Sequence, residues 1–218
     1  MTEALKPSSG EFDAEFRESF RELILWRRDV RRFRRDPVDP VLIDSLLELA
    51  SRAPSVGHCQ PWRFVFVESV DRRNVVKDSF VRANAKALEN YHGEERMHYA
   101  RLKLEGLEAA PVHLAVFADE AAEEGRGLGR RTMPETLRYS VVAAVQTLWL
   151  AARAEGLGLG WISILEPEMV SRALDVPDTW TLVAYLCIGW PVEEHLDPEL
   201  DRHHWQKRLD MTRVIFRR

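Results

Sequence analysis

Apolar residues at Phe12, Phe16, Phe20, Leu23 and Ile24 recur at three- and four-residue spacing, which predicts an amphipathic helix over 12–26. A second helical stripe, Leu42, Leu46, Leu47 and Ala50, follows Asp39 as N-cap and Pro40 in the first turn, and Pro54 stops it. The period then changes to two. "RFVFVES" (63–69) alternates and predicts a strand, whereas "VHLAVFA" (112–118) is apolar at every position and predicts a central strand covered on both faces. Between them, 71–90 and 95–109 predict helices broken near Gly93. Residues 135–155 predict a long helix, apolar nearly all round, buried in the domain or in a dimer interface. "LGWISIL" (159–165) and "WTLVAYLCIG" (180–189) predict strands flanking a short helix at 167–174. The stretch 191–218 has little periodicity and is expected to run extended over a surface.

Strands alternating with helices place the chain in a mixed α and β class. No internal repeat or low-complexity linker divides it, so a single domain over 1–218 is expected, with 1–12 as a disordered tail. The longest apolar run, 141–152, is interrupted by Gln146 and falls short of a membrane span. No secretory signal precedes the first helix, and the two cysteines, Cys59 and Cys187, form no CxxC motif. A cytoplasmic protein without a membrane partner is expected.

A net charge of −4 argues against a nucleic-acid partner, and it makes one stretch conspicuous. "RRDVRRFRR" (27–35) packs six arginines into nine positions around Asp29. Such a run reads either as a solvated helix end or as a clamp for phosphate, which guanidinium groups bind in bidentate fashion. Asp29, set among arginines, is expected to be ionised, as a charge neutraliser or as a fixed base facing a ligand. "APSVGHCQPWRF" (53–64) offers small residues for close backbone approach, with Ser55 and Gln60 as hydrogen-bonding groups. "GLGLGWISIL" (156–165) places glycines before a strand carrying Trp161 and Ser163, a strand suited to presenting N–H groups to a planar ring. "GRGLGR" (125–130) lacks dinucleotide-loop spacing and reads as a mobile loop. The seven histidines show no metal-ligand pattern, so no metal is expected.

Taken together, "RRDVRRF", "APSVGHCQPWRF", "LKLEGLEAAPVHLAVF" (102–117), "GRRTMPE" (129–135) and "TLWLAARAEGLGLGWISIL" (147–165) resemble the FMN-binding nitroreductase superfamily over about residues 16–210. Within it they resemble the branch that breaks reduced FMN down to 5,6-dimethylbenzimidazole, the lower ligand of cobalamin. Ordinary nitroreductases commonly carry Ser where this chain has Asp29.

The resemblance implies an α+β, nitroreductase-like fold: a central, mostly antiparallel sheet flanked by helices, in an intertwined homodimer with FMN at the subunit interface. It implies that Arg27, Arg28 and Arg31 hold the flavin's phosphate, ribityl or pyrimidine oxygens, with Val30 between them. Ser55, Asn84, Lys86 and, from the tail, Arg208 are further implied contacts, and Ser163 is implied near the reactive edge of the ring. His58 stands where the superfamily motif commonly has Asn. Asp29 and Ser163 are the implied catalytic residues, O2 the co-substrate and erythrose 4-phosphate the second product. A flavin reductase would supply the reduced FMN, and a lid within 85–134 (85–110 and the 120–134 loop) would exclude water. An NAD(P)H-dependent nitroreductase or flavin reductase, and a non-catalytic flavin-binding module, are the alternatives.

Overall fold

In the computed structural model, which describes residues 10–101 and 105–218, four strands form one sheet in the order β1-β2-β4-β3. They are β1 (Trp62–Phe66), β2 (Val112–Asp119), β3 (Gly158–Ile162) and β4 (Trp180–Gly189), and every neighbouring pair is antiparallel. β2 is central, as its all-apolar sequence predicts. Leu114, Val116 and Ala118 face one layer while Ala115 and Phe117 face the other, and all five are fully buried.

The first layer comprises α2 (Pro40–Ala50) and α6 (Thr136–Ala154). Asp39 caps α2 by accepting from the Val41 N–H at 2.9 Å. α2 ends at Ala50, four residues before the proline expected to stop it. α6 is more one-sided than its composition suggests. Leu137, Val141, Ala144, Val145, Leu148 and Ala152 form a buried stripe, while Tyr139 and Val142 are exposed. The second layer comprises α3 (Val70–Leu88), α5 (Gly106–Ala109) and α7 (Pro167–Leu174), with α4 (Gly93–Arg101) against α3. The helix expected over 95–109 is therefore two helices. Of the expected disordered tail, 1–9 lie outside the described residues, as do 102–104 of the "LKLEGLEAAP" stretch.

The first helix, α1 (Ala14–Trp26), forms where its periodicity predicts but buries none of its residues. Phe12, Phe16 and Phe20 stack along its outer face. No helix among the described residues is long and apolar enough to cross a membrane. After β4 the chain runs over the surface as expected, with a short helix, α8 (Glu199–Arg202), and a 3-10 turn at Met211–Arg213.

Candidate active site

The arginine-rich segment leaves α1 and lies against β3. Val30 N–H donates to the Leu159 carbonyl at 2.9 Å, giving a single parallel bridge between Asp29 and Leu159. Further on, Phe33 bridges Pro191, and Arg34 N–H donates to the Trp190 carbonyl at 2.8 Å. Two glycines of "GLGLGW", Gly158 and Gly160, make room for this contact. A Cβ on Gly158 would meet the Val30 side chain at 2.7 Å, and one on Gly160 would overlap the Val30 carbonyl oxygen. Gly158 and Gly160 admit the chain's own Val30 at close range. The Trp161 N–H is likewise taken, donating to Asp29 Oδ1 at 2.9 Å.

Asp29 Oδ2 lies 3.5 Å from Arg31 Nε, an ion-pair distance without hydrogen-bond alignment. That Nε is buried and finds no hydrogen-bond acceptor among the described residues. The Asp29 side chain remains 38% exposed, open toward a cleft. Its carboxyl is pushed above the ordinary aspartate range, first by burial, with Glu199 adding to the rise and the Trp161 N–H and Arg31 pulling against it. The arginines thus do not dominate its ionisation, contrary to the expectation from charge density, because only Arg31 among them reaches it.

The other arginines are engaged elsewhere. Arg27 lies over the Trp149 ring at 5.0 Å. Arg28 Nε donates to the Leu196 carbonyl at 2.8 Å, and burial with Arg27 and Arg208 nearby lowers its pKa. Arg32 Nε donates to Glu193 at 2.6 Å and its terminal nitrogens pair with Glu199. Arg34 faces Trp190 and Asp36. Two arginines of the cluster, Arg31 and Arg32, thus lie within ion-pair distance of carboxylates of the tail. Sequence reading missed Glu193 and Glu199, which sit in a stretch with no periodicity to single them out.

The remaining candidates do not converge on Asp29 within one chain. Ser163 follows β3 and is exposed. Ser55 Oγ accepts from the Gln60 N–H at 3.1 Å in a turn packed on residues 125–128. There Gly57, His58 and Gln60 all take positive φ. Such a backbone favours Gly first and then Asn, Asp or His, which is a local reason for His58 where Asn is usual. Asn84 accepts from Tyr99 O–H at 2.9 Å, and Lys86 and Arg208 are exposed. Cys187 lines a small cavity beside Asp29 and is a free, buried thiol, its pKa raised by burial. The cavities flanking Asp29 measure about 40 and about 10 Å³, too small for any ring system.

Residues 24–190 match the family model described as Nitroreductase family. The chain is 59% identical to 5,6-dimethylbenzimidazole synthase of Rhodospirillum rubrum, covering 90% of this chain and 93% of that protein. It is 47% identical to 5,6-dimethylbenzimidazole synthase of Rhodobacter capsulatus, over 91% and 96% respectively. Among solved structures it is similar to an iodotyrosine deiodinase bound to FMN and 3-iodo-L-tyrosine. That likeness has a TM-score of 0.69 and 26% identity, covering 81% of this chain and 91% of that one.

Proposed function

The chain belongs to the nitroreductase family, and from that premise we propose that it is an enzyme converting reduced FMN and O2 to 5,6-dimethylbenzimidazole and erythrose 4-phosphate, with the pyrimidine half of the ring system leaving as a third, oxidised fragment. The observation that carries the reading is the Asp29 carboxylate, fixed by the Trp161 N–H and facing a buried Arg31 Nε that lacks an acceptor among the described residues. The 59% identity to a synthase of that name supports the same activity.

The residues present fit a phosphorylated flavin. Arg31 offers an unfilled donor, and Arg28 and Arg32 stand beside it as cations able to exchange a tail carboxylate or carbonyl for phosphate oxygens. Reduced FMN supplies both the electrons taken up by O2 and the carbon skeleton of the product, ribityl C1′ becoming C2 of the benzimidazole. Asp29 accepts the proton lost from that carbon. Its raised pKa suits the role, because a base works best with a pKa near the operating pH. The Trp161 N–H and Arg31 oppose the rise and fix the carboxylate's orientation. Ser163 donates a hydrogen bond to a flavin nitrogen.

We read the working form as a cytoplasmic homodimer. The cavities around Asp29 cannot enclose a flavin, Ser55 lies apart from them, and α1 leaves an aromatic stripe uncovered. A second subunit would bring its Ser55 loop to the cleft. The stretches 85–110 and 120–134 would close over the ring. A separate reductase would deliver reduced FMN.

The test gives the purified protein chemically reduced FMN and air. Dimethylbenzimidazole should accumulate by chromatography while the 450 nm absorbance of oxidised flavin fails to return fully. Quantitative return of FMN, with NADH oxidised catalytically in a parallel assay that supplies it, would instead make the chain a flavin reductase.

A further inference from the structure

Glu199 is a carboxylate held almost out of solvent, with 11% of its side chain exposed. It opens α8, far from the arginine cluster in sequence. Its Oε1 lies 3.9 Å from the terminal nitrogen of Arg31 and 3.4 Å from that of Arg32, and His203 Nε2 lies 3.7 Å away. Arg31 is itself 10% exposed and turns its Nε to Asp29 at 3.5 Å. One guanidinium therefore stands between two carboxylates. Asp29 lies nearest its Nε and Glu199 nearest a terminal nitrogen.

We propose that Glu199 is a positioning residue that draws Arg31 back from Asp29, so that the guanidinium orients the base without sealing it in a closed ion pair. The proposal rests on the function above only in naming Asp29 as the base. An aligned Arg31–Asp29 pair would hold the carboxylate tightly and weaken it as a proton acceptor. The 3.5 Å approach to Asp29 and the 3.9 Å approach to Glu199, with the Nε hydrogen left without an acceptor among the described residues, leave the guanidinium between two carboxylates and closed on neither.

The other charges lining the same cleft are already committed. Arg32 also pairs with Glu193, which His195 approaches at 3.3 Å. Arg153 pairs with Glu194, and Arg202 with Asp197 at 3.2 Å. Arg28 is tied to the Leu196 carbonyl. β3 contributes the Trp161 N–H, and β4 contributes the Cys187 thiol, kept protonated by burial. Glu199 is thus the carboxylate that meets Arg31 at a nitrogen other than the one turned to Asp29. Its negative charge raises the Asp29 pKa, in agreement with the geometry.

The experiment reads Asp29 directly in the ligand-free protein. The Trp161 amide donates to Asp29 Oδ1, so its proton chemical shift reports the carboxyl's titration. The signal is assigned by its loss in Asp29→Asn. His203→Gln is placed in every protein compared, so that the histidine's own titration does not enter. Glu199→Gln should move the Trp161 midpoint to lower pH by about half a unit or more, and Glu199→Asp, which keeps the charge, should move it less. The acid limb of the kcat/KM profile should move in the same direction. A merely structural Glu199 would lower activity with both midpoints in place, and an unmoved or raised Trp161 midpoint overturns the proposal. Because that midpoint needs no flavin, failure of the wild-type chain to form product would sink the proposed function and leave this inference standing.

Discussion

His113 on β2 and Asp29 beside β3 are both ionisable groups withdrawn from water, and their surroundings treat them differently. His113 is 2% exposed, and its Nδ1 lies 2.9 Å from the Tyr185 hydroxyl. Burial drives its pKa down to about 4, with Arg73 adding to the fall, and raises that of Tyr185. Both groups are neutral at ordinary pH and satisfy one another. Asp29 is also strained toward neutrality, yet it is 38% open, faces a cation and leaves that cation's Nε without an acceptor. A closed neutral pair stabilises a fold. An open, incompletely satisfied one is what a ligand completes, so the contrast separates architecture from chemistry within a single sheet.

The largest expected effect sharpens that separation. Asp29→Asn keeps the size and the Trp161 contact but removes the base, so dimethylbenzimidazole formation should fall by about 100-fold or more, measured by chromatography. The same change should not lower the melting temperature. Asp29 has a raised folded pKa, so its contribution is present below the normal aspartate pKa and is lost as pH rises through the folded value. Neutral Asn escapes that loss and should raise stability at neutral pH.

His113 predicts the opposite slope. Its folded pKa lies near 4 against 6.5 unfolded, so its contribution is complete above pH 6.5 and is lost as pH falls toward 4. About 3 kcal/mol should disappear across that window in denaturant titrations, and His113→Gln should flatten the slope. Gly160→Ala comes next. Its methyl would press on the Val30 carbonyl oxygen, at a cost of about 1–3 kcal/mol, and should weaken FMN binding by displacing Asp29. The smallest effect is expected from Tyr185→Phe, about 1 kcal/mol by thermal unfolding, with product formation unchanged.

The sequence carried the fold well because its periods were clean. β2, uninterrupted and apolar, could only be central, and α7 and β4 fall within the limits their patterns predict. Within one chain α6 buries only one stripe, since composition cannot say which side of a helix a sheet will cover. Asp29 stood out because a lone carboxylate among arginines is a local anomaly. Glu199 did not, because its importance comes from meeting Arg31 across a long stretch of chain. Gly158 and Gly160 were noticed, but what they accommodate depends on a contact with Val30 that no local pattern records.

The bridge between Asp29 and Leu159 has a further bearing. β3 is the last strand of the sheet, and its outer rim would otherwise present free amides and carbonyls to any extended peptide. The segment bearing the carboxylate doubles as a guard on that rim. Shifting it to retune the chemistry would also uncover a sticky margin, so solubility itself ties the base to its place.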